Sequence, residues 1–260
     1  LSTPTGRTNH VNNIVAFVTG NGFDGIDIDY EQFAFADGRS TWNSTYDNWG
    51  LFLQELSGRL HALGKTLSVA VPPVYDAGRT DASGYWVYNY DALGRYVDTI
   101  RIMTYSYSGN AAGVISPFWW VDKSMRAAAA IVPANKIEMG LASYGTDVVS
   151  RIDGTCPEST TVRQSRSVTH DTIAQFAADK GAVPQWVERD SSGRLVREMT
   201  FTYVESFAGK DGTGATVRCN VSRTVWYPSA QSTHQRVLLA DSLGLGGVAM
   251  WAAGYDDSVT

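Results

Sequence analysis

Nine consecutive residues decide the fold: Phe23-Asp24-Gly25-Ile26-Asp27-Ile28-Asp29-Tyr30-Glu31. Apolar and acidic side chains alternate along this stretch, which is the pattern of a β-strand, and in a strand residues two apart point the same way. We therefore expect Asp27, Asp29 and Glu31 to share one face of the strand, while its other face is apolar.

Further apolar segments follow, separated by helical patterns. Strands are predicted at 23–30, 66–71, 99–105, 137–142 and 247–251, and helices at 12–19, 49–63, 90–96, 124–132, 171–180 and 229–243. Strands that alternate with helices pair in parallel, because the helix carries the chain back to the edge of the sheet where the next parallel strand begins. The pattern predicts an α/β protein built on a (β/α)8 barrel of the TIM type.

The predicted barrel is incomplete. A closed barrel of this type has eight strands, and the sequence supplies only the five parallel strands above. An open remnant would expose strand edges, which soluble proteins avoid. We therefore expect either a longer natural protein that contains the first three strands or a partner chain that completes the barrel.

Between the fourth and fifth strands the pattern changes. Residues 185–227 predict antiparallel hairpins, with turns at Ser191-Ser192-Gly193 and Asp211-Gly212-Thr213-Gly214. We expect a small α+β insertion at 146–227, which separates two parts of the barrel at 1–145 and 228–260.

Composition limits the classes of function. The chain has 260 residues, of which 43% are hydrophobic, and a net charge of -5. Lys and Arg form no block, which argues against a nucleic-acid partner, and no apolar run reaches the roughly 18 residues of a membrane span. The chain opens with the polar residues Leu1-Ser2-Thr3-Pro4, so we expect that a signal peptide was removed or that the chain is a fragment.

Cys156 and Cys219 are the two cysteines, and both lie in the most polar third of the chain. This placement favours a disulfide between them, and disulfides are typical of oxidising compartments. We therefore expect a secreted or cell-surface protein. Two unrelated reduced thiols are the alternative.

The acidic face indicates proton-transfer chemistry. Three carboxylates two residues apart cannot all ionise cheaply, so one of them is expected to hold a proton near neutral pH. Glycoside hydrolysis needs such a proton donor for the leaving sugar oxygen. Glu31 is outermost and has the longest side chain, so it is the predicted donor, with Asp29 behind it.

Two other interpretations of the acidic strand stay open. A half-exposed sheet, with acids facing water, produces the same alternation. A calcium site would also use carboxylates, although the twelve-residue calcium loop needs Gly at its sixth position, where Gln32 stands when the count starts at Asp27. The four histidines form no HExxH pair, and no GxSxG segment occurs.

The stretch Asp24–Glu31 resembles the DGxDxDxE signature of glycoside hydrolase family 18, the chitinase family. Three further segments are similar to segments of that family and occur in the same order along the chain. They are Met103-Thr104-Tyr105, Gly140-Leu141-Ala142-Ser143-Tyr144-Gly145 and Gly246-Gly247-Val248-Ala249-Met250-Trp251.

The resemblance implies a retaining, substrate-assisted hydrolysis of β-1,4-linked N-acetylglucosamine polymers such as chitin. It implies that Glu31 protonates the glycosidic oxygen and later deprotonates water, while the substrate's own acetamide is the nucleophile. Asp29 would orient the acetamide, and the neighbouring Asp27 would adjust the electrostatics of Asp29. Tyr105 would hydrogen-bond the acetamide oxygen, and Trp251 would form the floor under the sugar.

The same segments supply the remaining expected substrate-binding residues, Met103, Tyr144 and Ser106. Ser106 stands where many members carry Asp or Asn, so one sugar contact is expected to be weakened or supplied elsewhere. The expected partner is a polysaccharide or oligosaccharide that contains N-acetylglucosamine, and no cofactor or metal is expected.

Substrate and activity have alternatives. The segments Val225-Trp226-Tyr227 and Phe201-Thr202-Tyr203 look similar to family members that act on spore or cell-wall peptidoglycan, so a peptidoglycan N-acetylglucosaminidase is the first alternative, and protein N-glycans follow as substrates. A catalytically silent chitinase-like lectin is the alternative of another class. Such lectins typically lack the glutamate, which is present here as Glu31.

Overall fold

The structure is a computed structural model that describes residues 1–255. Its helices are α1 (Pro4–Gly20), α2 (Gln32–Phe35), α3 (Trp42–His61), α4 (Tyr90–Tyr96), α5 (Phe118–Ala129), α6 (His170–Asp179) and α7 (Ala230–Ser242). Its strands are β1 (Gly25–Ile28), β2 (Thr66–Val71), β3 (Thr99–Ile102), β4 (Ile137–Ala142), β5 (Tyr144–Gly154), β6 (Ser165–Thr169), β7 (Gln185–Arg189), β8 (Leu195–Lys210), β9 (Thr216–Tyr227) and β10 (Gly247–Trp251).

The chain folds into two compact units. The first consists of Leu1–Thr104, Asp122–Gly140 and Val237–Ala249, and the second of Tyr105–Val121, Leu141–Arg236 and the described residues 250–255. The predicted boundaries of an insertion, 146 and 227, stay a prediction.

A parallel sheet organises the first unit. Its strand order is β1-β2-β3-β4-β10, and the pairs β1–β2, β2–β3 and β3–β4 run parallel. The predicted α/β class with a parallel sheet is confirmed. Strands β1 and β10 are the two ends of this sheet, so within residues 1–255 it does not close into a barrel, and the three further strands stay a prediction.

The two faces of the sheet differ in chemistry. Alternate residues of β2 and β3 are fully buried, and α3 packs against β2. These buried side chains are Leu67, Val69, Val71, Ile100 and Ile102. Each contributes about 1.5–3 kcal/mol when it is removed from water. The register aligns Asp27 with Ser68 and Arg101 with Glu138, so the opposite face is polar.

Helix α3 begins seven residues before its predicted start at Trp49. Trp42 and Tyr46 are buried and continue the apolar face that Trp49 and Leu53 form, at spacings of three and four residues. The helix ends just before Gly64, whose φ of 67° lies in the left-handed region that ends helices.

An antiparallel sheet with the order β6-β5-β9-β8-β7 lies in the second unit. The predicted hairpins are present, with β7 paired to β8 and β8 paired to β9. The sequence reasoning missed β5 and β6. Strand β5 places a charged residue, Asp147, at a fully buried position, where Arg223 and Arg166 pair with it at 2.9 and 2.5 Å. A buried charge is tolerated only with such partners, and they are distant in the sequence.

The predicted disulfide between Cys156 and Cys219 is present and joins residues 63 positions apart. It links the chain beyond β5 to β9, which also pairs directly with β5. A crosslink of this length restricts the unfolded chain far more than the folded one, because the folded strands already hold the two cysteines together.

We predict that the double variant Cys156→Ser, Cys219→Ser lowers the free energy of unfolding by about 4 kcal/mol, the loop-entropy value for this separation. Urea denaturation followed by tryptophan fluorescence measures the change. Reductant should destabilise the natural chain to a similar extent and leave the double variant unaffected. Equal urea midpoints for the natural chain and the variant would contradict the prediction.

Candidate active site

The acidic segment leaves its strand earlier than the sequence predicts. Strand β1 ends at Ile28, and Glu31 caps the N-terminus of α2, where its carbonyl accepts hydrogen bonds from the amides of Ala34 and Phe35 at 3.0 and 3.1 Å. The prediction that Asp27, Asp29 and Glu31 share one strand face is therefore wrong, because only Asp27 lies within β1. The helical turn at Gln32–Phe35 competes with the extended conformation and turns the chain after Tyr30.

Asp29 and Glu31 line an open cleft with a volume of about 510 Å³. Its other walls come from the chain's first two residues and from the segment that follows Glu31, including Phe33, Asn48 and Trp49. The three acidic side chains are exposed, as the half-exposed-sheet interpretation predicts. Two of them nevertheless face a concave surface, where a substrate can reach them and displace water.

The pKa values of both cleft acids are raised. Desolvation raises the pKa of Glu31 most, followed by the negative charge of Asp29 and a hydrogen bond with Asp29. Desolvation and the charge of Asp27 also raise the pKa of Asp29, while its hydrogen bond with Glu31 lowers it. Because this bond raises one pKa and lowers the other, Glu31 is the donor and keeps its proton to higher pH than an ordinary glutamate.

Hydrogen bonds from aromatic residues hold the chain between the two acids. The Tyr88 hydroxyl donates to the carbonyl of Tyr30 at 2.8 Å, and the Tyr30 hydroxyl is 2.6 Å from Nε2 of His10. Burial, then the charges of Glu31 and Asp29, raise the pKa of Tyr88, so its hydroxyl remains a donor. Sequence reasoning missed Tyr88 and His10, because nothing in their local pattern links them to Tyr30, 58 and 20 positions away.

The carboxylate of Asp27 contacts a residue on another strand of the same sheet, Arg101 of β3. Nη1 of Arg101 donates to Oδ1 of Asp27 at 2.7 Å, and Nε of the same guanidinium is 2.8 Å from the carboxylate of Glu138. Sequence reasoning also missed Arg101. Its position between Ile100 and Ile102, both fully buried, was an available signal that it faces the polar side of the sheet.

In the second unit, Tyr105, Ser106 and Tyr144 come together. The rings of Tyr105 and Tyr144 meet edge to face at 6.3 Å, and the hydroxyls of Ser106 and Tyr144 are 2.6 Å apart. Ser106 has a φ of 57°, an unusual value for a residue with a side chain. This conformation turns its hydroxyl towards Tyr144, so the position where family members often carry Asp or Asn is bonded to another predicted site residue.

A buried carboxylate, Glu198, supports the chain that follows Tyr105. It accepts hydrogen bonds from the amides of Ile115 and Ser116 at 2.9 and 2.6 Å and lies 3.3 Å from the guanidinium of Arg236. Complete burial raises the pKa of Glu198, and the charge of Arg236 opposes this shift. No sequence signal pointed to Glu198, since its amide partners lie more than 80 positions away.

The two remaining predicted residues lie at strand ends. Met103 follows β3, and its amide donates to the carbonyl of Val71 at 2.8 Å. Trp251 is the last residue of β10, and its carbonyl accepts from the amide of Ser143 at 3.0 Å. The Trp251 side chain is 52% exposed, so its indole has a surface available for another molecule.

Among residues 1–255, no three or more His, Cys, Asp or Glu side chains are grouped where they could hold a metal ion together. Over the same residues, no helix combines the length and apolar character that crossing a bilayer requires.

Comparison with known proteins identifies relatives along the whole chain. The family model "Glycosyl hydrolases family 18" matches residues 1–256. A Bacillus subtilis protein named as a sporulation-specific glycosylase, YdhD, is 30% identical over 217 residues, which cover 81% of this chain and 48% of YdhD. The cortical fragment-lytic enzyme of the same organism is 27% identical, over 98% of this chain and 52% of the enzyme. The chain thus spans about half the length of these two relatives.

Among solved structures, the fold is similar to that of a chitinase from Chromobacterium violaceum, with a TM-score of 0.74 and 26% sequence identity. The match covers 98% of this chain and 69% of the chitinase.

We predict that Asp29→Asn lowers the pKa of Glu31, because the substitution removes the neighbouring negative charge and the carboxylate that accepts the Glu31 proton. Carbon-13 NMR titration of the Glu31 carboxyl group measures this pKa directly. Asp47→Asn, at an exposed position of α3, is the matched control and should leave the titration unchanged. An unchanged or higher Glu31 pKa in Asp29→Asn would refute the electrostatic description of the pair.

Proposed function

The chain belongs to glycosyl hydrolase family 18, and from this premise we propose that it hydrolyses β-1,4-linked N-acetylglucosamine polymers such as chitin or chito-oligosaccharides. The observation that carries the proposal is the pair of acids on an open cleft, in which Glu31 donates a hydrogen bond to Asp29. A glycosidase of this kind needs one acid that is protonated and one that is charged, and the raised pKa of Glu31 beside Asp29 supports this division of roles.

In the proposed mechanism Glu31 protonates the leaving sugar oxygen as the glycosidic bond breaks. The acetamide oxygen of the same substrate attacks the anomeric carbon, and a cyclic oxazolinium ion forms. Asp29 orients the acetamide and stabilises the positive charge, and the neighbouring Asp27 adjusts the electrostatics of Asp29. Glu31, now ionised, takes a proton from water, and the water attacks the anomeric carbon on the face that the leaving sugar vacated, opposite the acetamide oxygen, which opens the ring. The configuration at the anomeric carbon is therefore retained.

The electrostatics support these roles. A raised pKa keeps Glu31 protonated closer to neutral pH, where a general acid is useful. Once Glu31 has given up its proton, the hydrogen bond from Glu31 to Asp29 is lost and Asp29 can turn its charge to the substrate. An anion beside a developing cation stabilises the transition state, and it does so more strongly once the bound sugar has displaced water from the cleft.

The remaining predicted residues are proposed to contact the sugar. Tyr105 donates a hydrogen bond to the acetamide oxygen, and Trp251 stacks under the sugar ring, since the C–H faces of a pyranose pack well on an indole. Met103, Tyr144 and Ser106 contribute further contacts. The half-exposed indole of Trp251 supports a binding role for that residue.

A peptidoglycan N-acetylglucosaminidase is the second candidate. The cortical fragment-lytic enzyme is similar to nearly the whole of this chain, and peptidoglycan contains the same N-acetylglucosamine unit with its acetamide. The proposed chemistry at Glu31 and Asp29 is the same for both polymers, so the acid pair does not distinguish them.

A lectin of the same fold is the candidate from another class. It would bind the same oligosaccharides without cleaving them, and it needs no proton donor. The retention of Glu31 and its hydrogen bond to Asp29 favours the enzyme. The disulfide between Cys156 and Cys219 supports secretion or display at the cell surface, because such bonds persist in oxidising compartments.

We predict that Glu31→Gln lowers turnover of a chromogenic chitobiose or chitotriose substrate by about 10²–10⁴-fold, the usual contribution of a general acid. Oligosaccharide binding, followed by calorimetry, should persist because the side chain keeps its size. Asp47→Asn should retain full activity. Binding without turnover in the unaltered chain would support the lectin, and full turnover by Glu31→Gln would exclude Glu31 as the proton donor.

We also predict that an NMR time course on chitin oligomers detects the β-anomer of the product first, as a retaining mechanism requires. Purified peptidoglycan, digested in parallel, identifies the preferred polymer by its products. Early appearance of the α-anomer would contradict the substrate-assisted mechanism. Inactivity on both polymers would exclude chitin and peptidoglycan together.

A further inference from the structure

One cation lies in the middle of the polar face of the parallel sheet. Nη1 of Arg101, on β3, donates to Oδ1 of Asp27 on β1 at 2.7 Å and to Oγ of Ser68 on β2 at 2.8 Å. Nε of Arg101 is 2.8 Å from Oε2 of Glu138 on β4. A single guanidinium thus connects four neighbouring strands, with a carboxylate on each side.

The register of the sheet explains why Arg101 reaches both carboxylates. Arg101 is aligned with Glu138 on the adjacent strand, so their side chains lie on the same face. Asp27 lies two strands away, opposite Ser68, and the long arginine side chain crosses β2 to reach it. The planar guanidinium has donors on several sides and can serve both acids, which a lysine ammonium cannot do with the same geometry.

These contacts affect the proposed catalytic pair through Asp27. The charge of Asp27 raises the pKa of Asp29, and the charge of Asp29 raises the pKa of Glu31. An arginine is always protonated in a protein, so its positive charge beside Asp27 offsets part of the negative charge that Asp29 experiences. The position of Asp27 also matters, because a carboxylate bonded towards β3 is held at a fixed distance from Asp29.

We propose that Arg101 is a positioning residue, which fixes Asp27 on the polar face of the sheet and limits the influence of the Asp27 charge on Asp29 and Glu31. This proposal rests on the proposed function for its consequence in catalysis. Its electrostatic content does not depend on turnover, because Arg101 changes the proton affinity of the two acids whether or not a substrate is cleaved.

The charged and titratable groups around the cluster set the direction of the expected change. Arg101 faces Asp27 from β3, Glu138 faces Arg101 from β4, and Asp29 follows Asp27 on the same segment. Tyr88 faces Asp29 and Glu31, and its raised pKa keeps it neutral. The side chains of Arg101 and Asp27 are 36% and 41% exposed, so water screens the interaction and a moderate effect is expected.

The test compares Arg101→Met with Arg126→Met, which removes the same charge from an exposed ion pair with Asp122 on α5. Loss of the Arg101 charge should raise the pKa values of Asp29 and Glu31 and move the pH profile of kcat/KM to higher pH. On the acidic side of the profile we expect kcat/KM to fall by about two- to fivefold. Arg126→Met should leave the profile unchanged.

Two further variants allow the proposal to be tested even if Arg101→Met does not fold. Glu138→Gln leaves Arg101 in place and removes the competing carboxylate, so the profile should move the opposite way, to lower pH. In an Asp27→Asn background, Arg101→Met should shift the profile less than in the unaltered chain, because no Asp27 charge remains for Arg101 to hold in place. If Arg101→Met does not fold, the shift in Glu138→Gln decides alone.

Carbon-13 NMR titration of Asp29 and Glu31 in the same variants separates this proposal from the proposed function. Shifted titrations in a chain that cleaves no oligosaccharide would support the role of Arg101 and reject the glycosidase. Unchanged titrations, with or without a loss of thermal stability in Arg101→Met, would overturn the role of Arg101 and leave the glycosidase proposal intact.

Discussion

The repulsion between neighbouring carboxylates at the end of β1 is the constraint on which the site depends. Asp27, Asp29 and Glu31 lie within five residues, and no arrangement of them is favourable with all three fully charged. The structure reduces this repulsion in two ways. A proton from Glu31 is shared with Asp29, and the guanidinium of Arg101 lies beside Asp27. The same arrangement raises the pKa of Glu31 on an open cleft, and a raised pKa suits a general acid.

The parallel sheet makes this compensation possible because it separates apolar side chains from charged ones. Its apolar face is buried, and its polar face aligns side chains from β1 to β4 within reach of one arginine. Partly exposed ion pairs of this kind contribute little to stability. Apolar burial on the opposite face therefore stabilises the sheet. The charged side chains of the polar face mainly influence the electrostatics of the acids at the site.

Sequence patterns predicted the elements whose boundaries are marked by local sequence signals. The bounds of β2, α4, β4 and β10 agree with the predictions. At these positions Pro, Gly or a change in the spacing of apolar residues marks where the element ends. The patterns failed where a distant residue decides the outcome. Glu31 was expected on the strand, yet the turn at α2 withdraws it, and β5 was missed because Arg223 must pair with Asp147 across 76 positions before that charge can be buried.

The site itself was predictable only in part, for the same physical reason. The acids, Tyr105 and Trp251 stand in segments that resemble a family, whereas Tyr88, Arg101 and Glu198 act through contacts with residues far along the chain. Comparison of Glu198 with Glu31 indicates what distinguishes a functional acid. Burial raises the pKa of both. Glu198 is fully enclosed by amides and Arg236, so its carboxylate can only hold the backbone in place, while Glu31 opens onto a cleft and can pass its proton to another molecule. A shifted pKa therefore points to chemistry only when a substrate can reach the group.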